Sequence, residues 1–351
     1  MGGVPHLPLT VIEPCVRSSV DTAENRFVKY FAGLALELIA QARDLLAAVD
    51  CDVNLQAQAR QLAERLGEMT SADWLTQVGD LERFPAHSQV MQKRFGYRDI
   101  LRHYLALVFV SRYPLAAADL TRIVETKSAS TLYEYWTFFE LAEAIGDRLG
   151  EPTEAVKTLE VRPFASVLAE GIRLTFPPTA AGAVELWYNR AFSRSATAAH
   201  RSYSVPLRPD ITLRVGDRLH LFDAKFRVER FEILEIESGS EALIEQQLAI
   251  EDEAERHGQV TQGWFKHADI HKMHAYRDAI GGEGRRVGSV WVLYPGDQFR
   301  FFAEDATRAD TGEAVARLAS AGALRGVGAI PMVPGAGERF AELGAVLKAV
   351  L

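Results

Sequence analysis

RPDITLRVGDRLHLFDAKFR, Arg208 to Arg227, is the stretch on which the reading of this chain turns. Two strand-like runs flank Gly216-Asp217, a pair suited to the two-residue turn of a β-hairpin. Such a turn sets Val215 opposite Arg218, and the same register sets Asp210 opposite Asp223. Residues facing one another across an antiparallel pair have Cβ atoms about 5 Å apart on one side of the sheet. Strand alternation puts Lys225 on that side too, two residues beyond Asp223. Like charges directly opposite destabilise a sheet unless something compensates them. A divalent cation with oxygen ligands does so for two carboxylates, and Lys225 adds a positive charge. Carboxylates holding Mg²⁺ or Mn²⁺ beside a lysine suit phosphodiester hydrolysis. The ion polarises a phosphoryl oxygen and acidifies bound water, while the lysine orients that water or stabilises developing charge. Taken singly, Asp210 also reads as an exposed strand-edge aspartate, and Asp223 with Lys225 as a solvated same-face pair.

Upstream of the hairpin the pattern is helical. Apolar residues three or four apart run from Asn25 to Ala48, and further helices are expected over Leu55–Leu66, Ser88–Ser111 and from about Ala116. TLYEYWTFFELAEAIGDRL, Thr131–Leu149, is another helix, stopped by Gly150 and Pro152. Its aromatics, Tyr133, Trp136, Phe138 and Phe139, read as core. Expected strands are Gly171–Thr175, Ala183–Tyr188, Asp210–Val215, Leu219–Phe226, Arg286–Tyr294 and Phe299–Ala303, with a helix over Ala268–Ile280. Trp187 and Trp291 fall in strands and read as core. This order gives an α/β fold behind an all-helical N-terminal domain. The expected division is an irregular, Gly- and Pro-punctuated lead-in over 1–20, a helical domain over 21–125, and an α/β domain over 126–351.

The chain of 351 residues is 48% hydrophobic and 25% charged, which places it with globular and not disordered proteins. The net charge of −8 looks unfavourable for a nucleic-acid partner. From Arg227 to Gln262, however, ten acidic residues face three basic ones, so the acidity is concentrated in an insertion over about 227–262. Just before it, Arg190, Arg194, Arg201 and Arg208 follow one another with no acidic residue between them. A local basic stretch makes phosphate contacts whatever the sign of the whole. The acidic segment reads as a solvated helix or loop, or as an element that repels nucleic acid from a neighbouring cleft. Two cysteines, Cys15 and Cys51, make no disulfide framework. With no long apolar run and no export signal, a cytoplasmic protein without a membrane segment is expected.

Pro209-Asp210, a gap, then Asp223-Ala224-Lys225 is the signature of the PD-(D/E)XK nucleases. With YEYWTFFEL (Tyr133–Leu141), DIHKMHAYRDAI (Asp269–Ile280), ENRFVKYF (Glu24–Phe31) and QKRFGYRDIL (Gln92–Leu101), the chain resembles their McrC-related, DUF2357-type branch from about residue 22 onward. The resemblance implies a restriction-endonuclease-like fold, a mixed central sheet flanked by helices. It makes Asp210 and Asp223 metal ligands and Lys225 the catalytic lysine, and it points to a glutamate on the preceding helix, Glu134 before Glu140. Lys272 and Tyr276, one helical turn apart, match a place where related nucleases approach substrate. It further implies a Mg²⁺- or Mn²⁺-dependent endonuclease acting on DNA in prokaryotic restriction or antiphage defence. Partners would be an ATPase or GTPase or another defence subunit, or a second copy of the chain in a homodimer. McrC-type proteins carry a β-rich region before the helical part; this sequence starts at the helical part, which puts dependence on a GTPase motor in question.

Arg190, Arg194 and Arg208 stand as candidates for backbone phosphate contacts, against the reading of a solvated loop. His267, His271 and His274 share a helix face, but no fourth zinc ligand at suitable spacing accompanies them. A rival from another class is a nuclease-fold scaffold or DNA-binding subunit without catalysis, docking an ATPase or GTPase. RNA is a further substrate, since metal chemistry does not distinguish the sugar.

Overall fold

The computed structural model describes residues 19–48, 53–85, 88–112, 128–156, 160–162, 165–167, 172–194, 200–226, 267–282, 285–305, 307–320, 324–335 and 340–351. Contacts divide the chain into two compact units, Met1–Pro85 and Ala86–Leu351. The expected domain boundary at 125, the helix start near Ala116, the lead-in up to residue 18 and the acidic insertion 227–262 lie outside the described residues.

In the first unit, α1 (Ala23–Ala48) and α2 (Val53–Thr70) are followed by the single turn α3 (Asp73–Thr76). Asp21 fixes the start of α1. Its carboxylate accepts hydrogen bonds from Arg26 Nε (2.7 Å), Arg26 Nη2 (2.9 Å) and the Gly79 backbone N–H (3.0 Å). These bonds, Arg26 first, hold the carboxyl well below its ordinary range. Arg26 also reaches Glu82 at 2.9 Å, and Phe84 meets the buried Phe27 edge-on, so the segment after α3 is strapped along α1. α2 buries no residue and leaves Val53, Leu55, Leu62 and Met69 exposed.

In the second unit, the single helix expected over Ser88–Ser111 is two, α4 (Gln89–Lys93) and α5 (Tyr97–Arg112). The break is Gly96, whose φ of +84° is a conformation that glycine adopts without steric cost. Next comes α6 (Ala129–Leu149), capped by the Ser128 hydroxyl, which accepts from Thr131 N–H, and stopped at Gly150. Tyr133, Trp136 and Phe138 of α6 are buried, as the sequence suggests.

The strands are β1 (Glu154–Val156), β2 (Glu160–Arg162), β3 (Ala165–Val167), β4 (Arg173–Thr179), β5 (Gly182–Tyr188), β6 (Arg201–Ser202), β7 (Ile211–Val215) and β8 (Arg218–Ala224). After helix α7 (His267–Ala279) come β9 (Ile280–Gly282), β10 (Arg285–Tyr294), β11 (Arg300–Ala303), β12 (Arg308–Ala309), helix α8 (Gly312–Ser320), β13 (Gly326–Pro331) and helix α9 (Ala341–Val350). The main sheet runs β1-β4-β5-β7-β8-β10-β13-β11-β12, with β9 joining β10 to β6; β2 and β3 pair separately. From β1 to β8 neighbours are antiparallel, whereas β8, β10 and β13 are parallel, so the sheet is mixed. A tight turn cannot join parallel neighbours. The connection from β8 to β10 accordingly contains α7, which packs Met273 and Tyr276 onto Leu219, Leu221, Val290 and Val292 in one apolar cluster. The other side of the sheet meets α6, where Tyr135 and Phe138 contact Tyr188 ring to ring.

Gly216 decides the register of the central hairpin. Its φ is +58°, at the turn position where a type II′ turn requires glycine, and a Cβ there would lie 2.0 Å from the Ala181 carbonyl oxygen. The pairs Val215↔Arg218 through Ile211↔Phe222 follow, as the sequence suggests.

Candidate active site

The ladder of β7 and β8 ends at Ile211↔Phe222, one step short of the two aspartates. Asp210 is held there by two bonds: its carbonyl accepts from Asn189 N–H (2.7 Å), and its Oδ2 accepts from Ala224 N–H (2.8 Å). Asn189 lies in the left-handed region, φ +50°, one residue after β5. Asn is among the residues that tolerate this conformation best. On β8, Asp223 pairs in register with Val292 of β10 and is fully buried. The backbone N–H of Lys225 donates to Leu293 O at 2.8 Å, which extends the parallel pairing past the strand end and keeps Lys225 on the side of Asp223.

A buried carboxylate without counter-charge is costly. Asp223 has two. Lys225 Nζ lies 2.8 Å from Oδ2, and Lys272 Nζ, from α7, lies 2.8 Å from Oδ1. The Lys272 ammonium also sits 5.2 Å from the centroid of the Tyr276 ring, and the Tyr276 hydroxyl donates to the Arg208 carbonyl at 3.1 Å. That bond ties α7 to the segment entering β7.

Glu134, on α6, approaches the same cluster. Its Oε2 accepts a long hydrogen bond, 3.4 Å, from the hydroxyl of Tyr188 at the end of β5. Burial raises its carboxyl above the ordinary range, the Tyr188 bond opposes this, and the charge of Asp223 adds to the rise. Asp210 is pushed up to about 7, by burial first and then by the charges of Asp223 and Glu134. Glu140 is six residues further along α6, about 240° around the helix axis from Glu134, and is buried. The structure therefore brings Glu134 to the aspartates, and Glu140 points elsewhere.

Among the described residues, no three His, Cys, Asp or Glu side chains are gathered tightly enough to hold a metal as they stand. The donor chemistry nevertheless fits a hard divalent ion: carboxylate oxygens only, with Asp210 burdened by a repulsion that a bound dication relieves. His274 is exposed, and the side chains of His267 and His271 lie outside the described residues.

The candidate phosphate contacts spread over different surroundings. The Arg190 guanidinium stacks 4.7 Å from the Trp187 ring centroid and 5.0 Å from that of Phe192, with Nη1 buried and unbonded. Arg194 and Arg208 are exposed. Trp187 is only half-buried, whereas Trp291 is fully buried. Trp291 is core, as its place in a strand suggests, while Trp187 carries Arg190, and its ring centroid lies 5.4 Å from the Arg173 guanidinium. Sequence reasoning missed Tyr188 and Asn189, which support Glu134 and Asp210. The only available signal was a Tyr-Asn pair ending a strand beside the hairpin.

Residues 131–299 match the family model for the PD-(D/E)XK nuclease superfamily, and residues 4–104 match a domain of unknown function, DUF2357. The first match spans Glu134, both aspartates and both lysines. No curated protein matches the chain.

Proposed function

We propose that this chain, which carries a PD-(D/E)XK nuclease-superfamily domain behind a DUF2357 region, is a Mg²⁺- or Mn²⁺-dependent endonuclease of DNA. The observation that carries the reading is the buried Asp223 clasped by Lys225 and Lys272 at 2.8 Å, with Asp210 and Glu134 beside it. Asp210, Asp223 and Glu134 would hold the divalent ion, which when bound polarises the phosphoryl oxygen and acidifies water.

The chain's own groups have separable tasks. Ala224 N–H fixes the Asp210 carboxylate, and Tyr188 fixes that of Glu134, so both are oriented before substrate arrives. Lys225 offers an ammonium beside the reacting phosphate, where it orients the attacking water and stabilises transition-state charge. Tyr276 holds α7 against the hairpin through Arg208 O. Arg190, Arg194 and Arg208 supply backbone phosphate contacts, which fix position and not sequence.

A nuclease of this type belongs in prokaryotic restriction or antiphage defence, and the setting is the cytoplasm. A single centre cuts one strand, so double-strand cleavage takes a homodimer or a partner complex. The second reading, a scaffold that docks an ATPase or GTPase, is favoured by one observation: α2 buries nothing and exposes Val53, Leu55, Leu62 and Met69. The test is incubation of plasmid and linear DNA, and of RNA, with Mg²⁺ or Mn²⁺. Cutting by wild type and none by Asp223→Ala is expected. DNA bound but never cut, with or without co-purified partners, transfers the case to the scaffold.

A further inference from the structure

Two-metal nuclease centres hold their ions about 3.5–4 Å apart. A carboxylate between the ions gives one oxygen to each. Asp223, fully buried at the end of β8, would be that carboxylate here. Its Oδ1 instead accepts a hydrogen bond from Lys272 of α7 at 2.8 Å, whereas Oδ2 lies 2.8 Å from Lys225 Nζ, accepts no hydrogen bond and stays open to an ion. We propose that Lys272 is the second cation of this centre, standing where a two-metal site would place another ion, so that the chain binds one divalent cation. The inference rests on the nuclease reading for its phosphate and on the side-chain geometry for the rest.

Charge balance supports it. In their ionised forms Asp210, Asp223 and Glu134 bring three negative charges, and Lys225 and Lys272 bring two positive ones. One dication and one phosphodiester then leave the cluster neutral. A second dication would leave two uncompensated positive charges in a partly buried site, at a steep desolvation cost. The oxygen supply agrees: one oxygen of Asp210 accepts from Ala224 N–H and one of Glu134 accepts from Tyr188. The carboxylates flanking Asp223 are thus partly committed within the chain. Lys272 is also held in place, with its ammonium over the Tyr276 ring and that ring anchored to Arg208 O. The resemblance implies that the lysine at 272 meets substrate; the geometry gives it to Asp223.

The experiment is a count of Mn²⁺ bound to the chelator-treated full chain, by calorimetry and by electron paramagnetic resonance of free Mn²⁺. Wild type is expected to bind about one ion per chain. Lys272→Met keeps the apolar stem beside Tyr276, removes the charge and is expected to admit a second ion. Its Mg²⁺ dependence of cleavage should steepen accordingly, from a Hill coefficient of about 1 towards 2. Lys272→Arg should retain one ion, and it decides with wild type if Lys272→Met fails to fold. Two ions on wild type, or an unchanged count and affinity in folded Lys272→Met, would overturn the proposal. One bound ion with no cleavage of DNA or RNA would sink the nuclease reading alone, and no bound ion would sink both.

Discussion

Asp210→Asn should stabilise the metal-free protein while abolishing its activity. The side chain loses its charge but keeps an oxygen to accept the Ala224 N–H bond seen at 2.8 Å. In the folded wild type, burial and the charges of Asp223 and Glu134 push this carboxyl from its ordinary 3.8 up to about 7. Between those values the folded chain holds a proton that the unfolded chain has released. Stability of wild type in chelator therefore falls as pH rises from about 4 to about 7, and the full cost remains above that. At about 1.4 kcal/mol per pH unit, the interval corresponds to at most about 4 kcal/mol. Asp210 keeps part of its surface in water, and screening reduces the expected gain to about 1–3 kcal/mol. For a domain of this size that is a rise in Tm of about 3–8 °C. The assay is thermal or urea unfolding in chelator at pH 8 and at pH 5, wild type against variant. The gain should appear at pH 8 and shrink at pH 5, and Mn²⁺ should stabilise wild type more than the variant. A variant less stable than wild type at pH 8, or a gain equal at both pH values, would refute the claim that these carboxylates repel one another in a site built for a cation.

Other groups give further expectations. His220 is buried, shares a 2.8 Å hydrogen bond with Ser289 and is pushed down to about 3, chiefly by burial. Its contribution is present above pH 6.5 and is lost as pH falls towards 3, about 2 kcal/mol of it by pH 5; His220→Leu should flatten that slope in urea titrations at pH 7 and 5. Gly216→Ala places a methyl 2.0 Å from the Ala181 carbonyl oxygen at a φ of +58°, and should cost more than about 2 kcal/mol in a urea titration. Loss of less than half that would mean the hairpin register does not depend on this glycine. Arg190→Ala should weaken DNA binding and reduce the slope of log K against log salt by about 1, measured by fluorescence anisotropy; an unchanged slope would place Arg190 in packing against Trp187 alone.

The hairpin was legible because two periodicities and one turn coincide. Gly216-Asp217 sets the register, and the register sets Asp210 against Asp223 with Lys225 on the same side. Helix α6 was legible from its aromatic stripe and its Gly150 stop. The strand β13 was not, because GVGAIP is buried along most of its length and shows no alternation, with glycines where side chains would announce a strand. Trp291 accounts for one of those glycines: a Cβ at Gly328 would lie 2.4 Å from its ring. The break at Gly96 was hidden because apolar spacing continues across it from α4 to α5. The choice between Glu134 and Glu140 is a question of rotation about a helix packed on a sheet, and it took the contact with Tyr188 to orient the helix. Lys272 was visible as a helix-face lysine near the hairpin, yet only tertiary packing shows that it meets Asp223 and not solvent.

The most direct measurement is single-turnover cleavage of an end-labelled DNA duplex with Mg²⁺, comparing wild type with Lys225→Met and Asp223→Asn after unfolding curves show all three folded. The expected result is cleavage by wild type, a loss of at least about a hundredfold in each variant, and no cleavage in chelator. Cleavage that survives in both variants would contradict the assignment of the chemistry to this cluster.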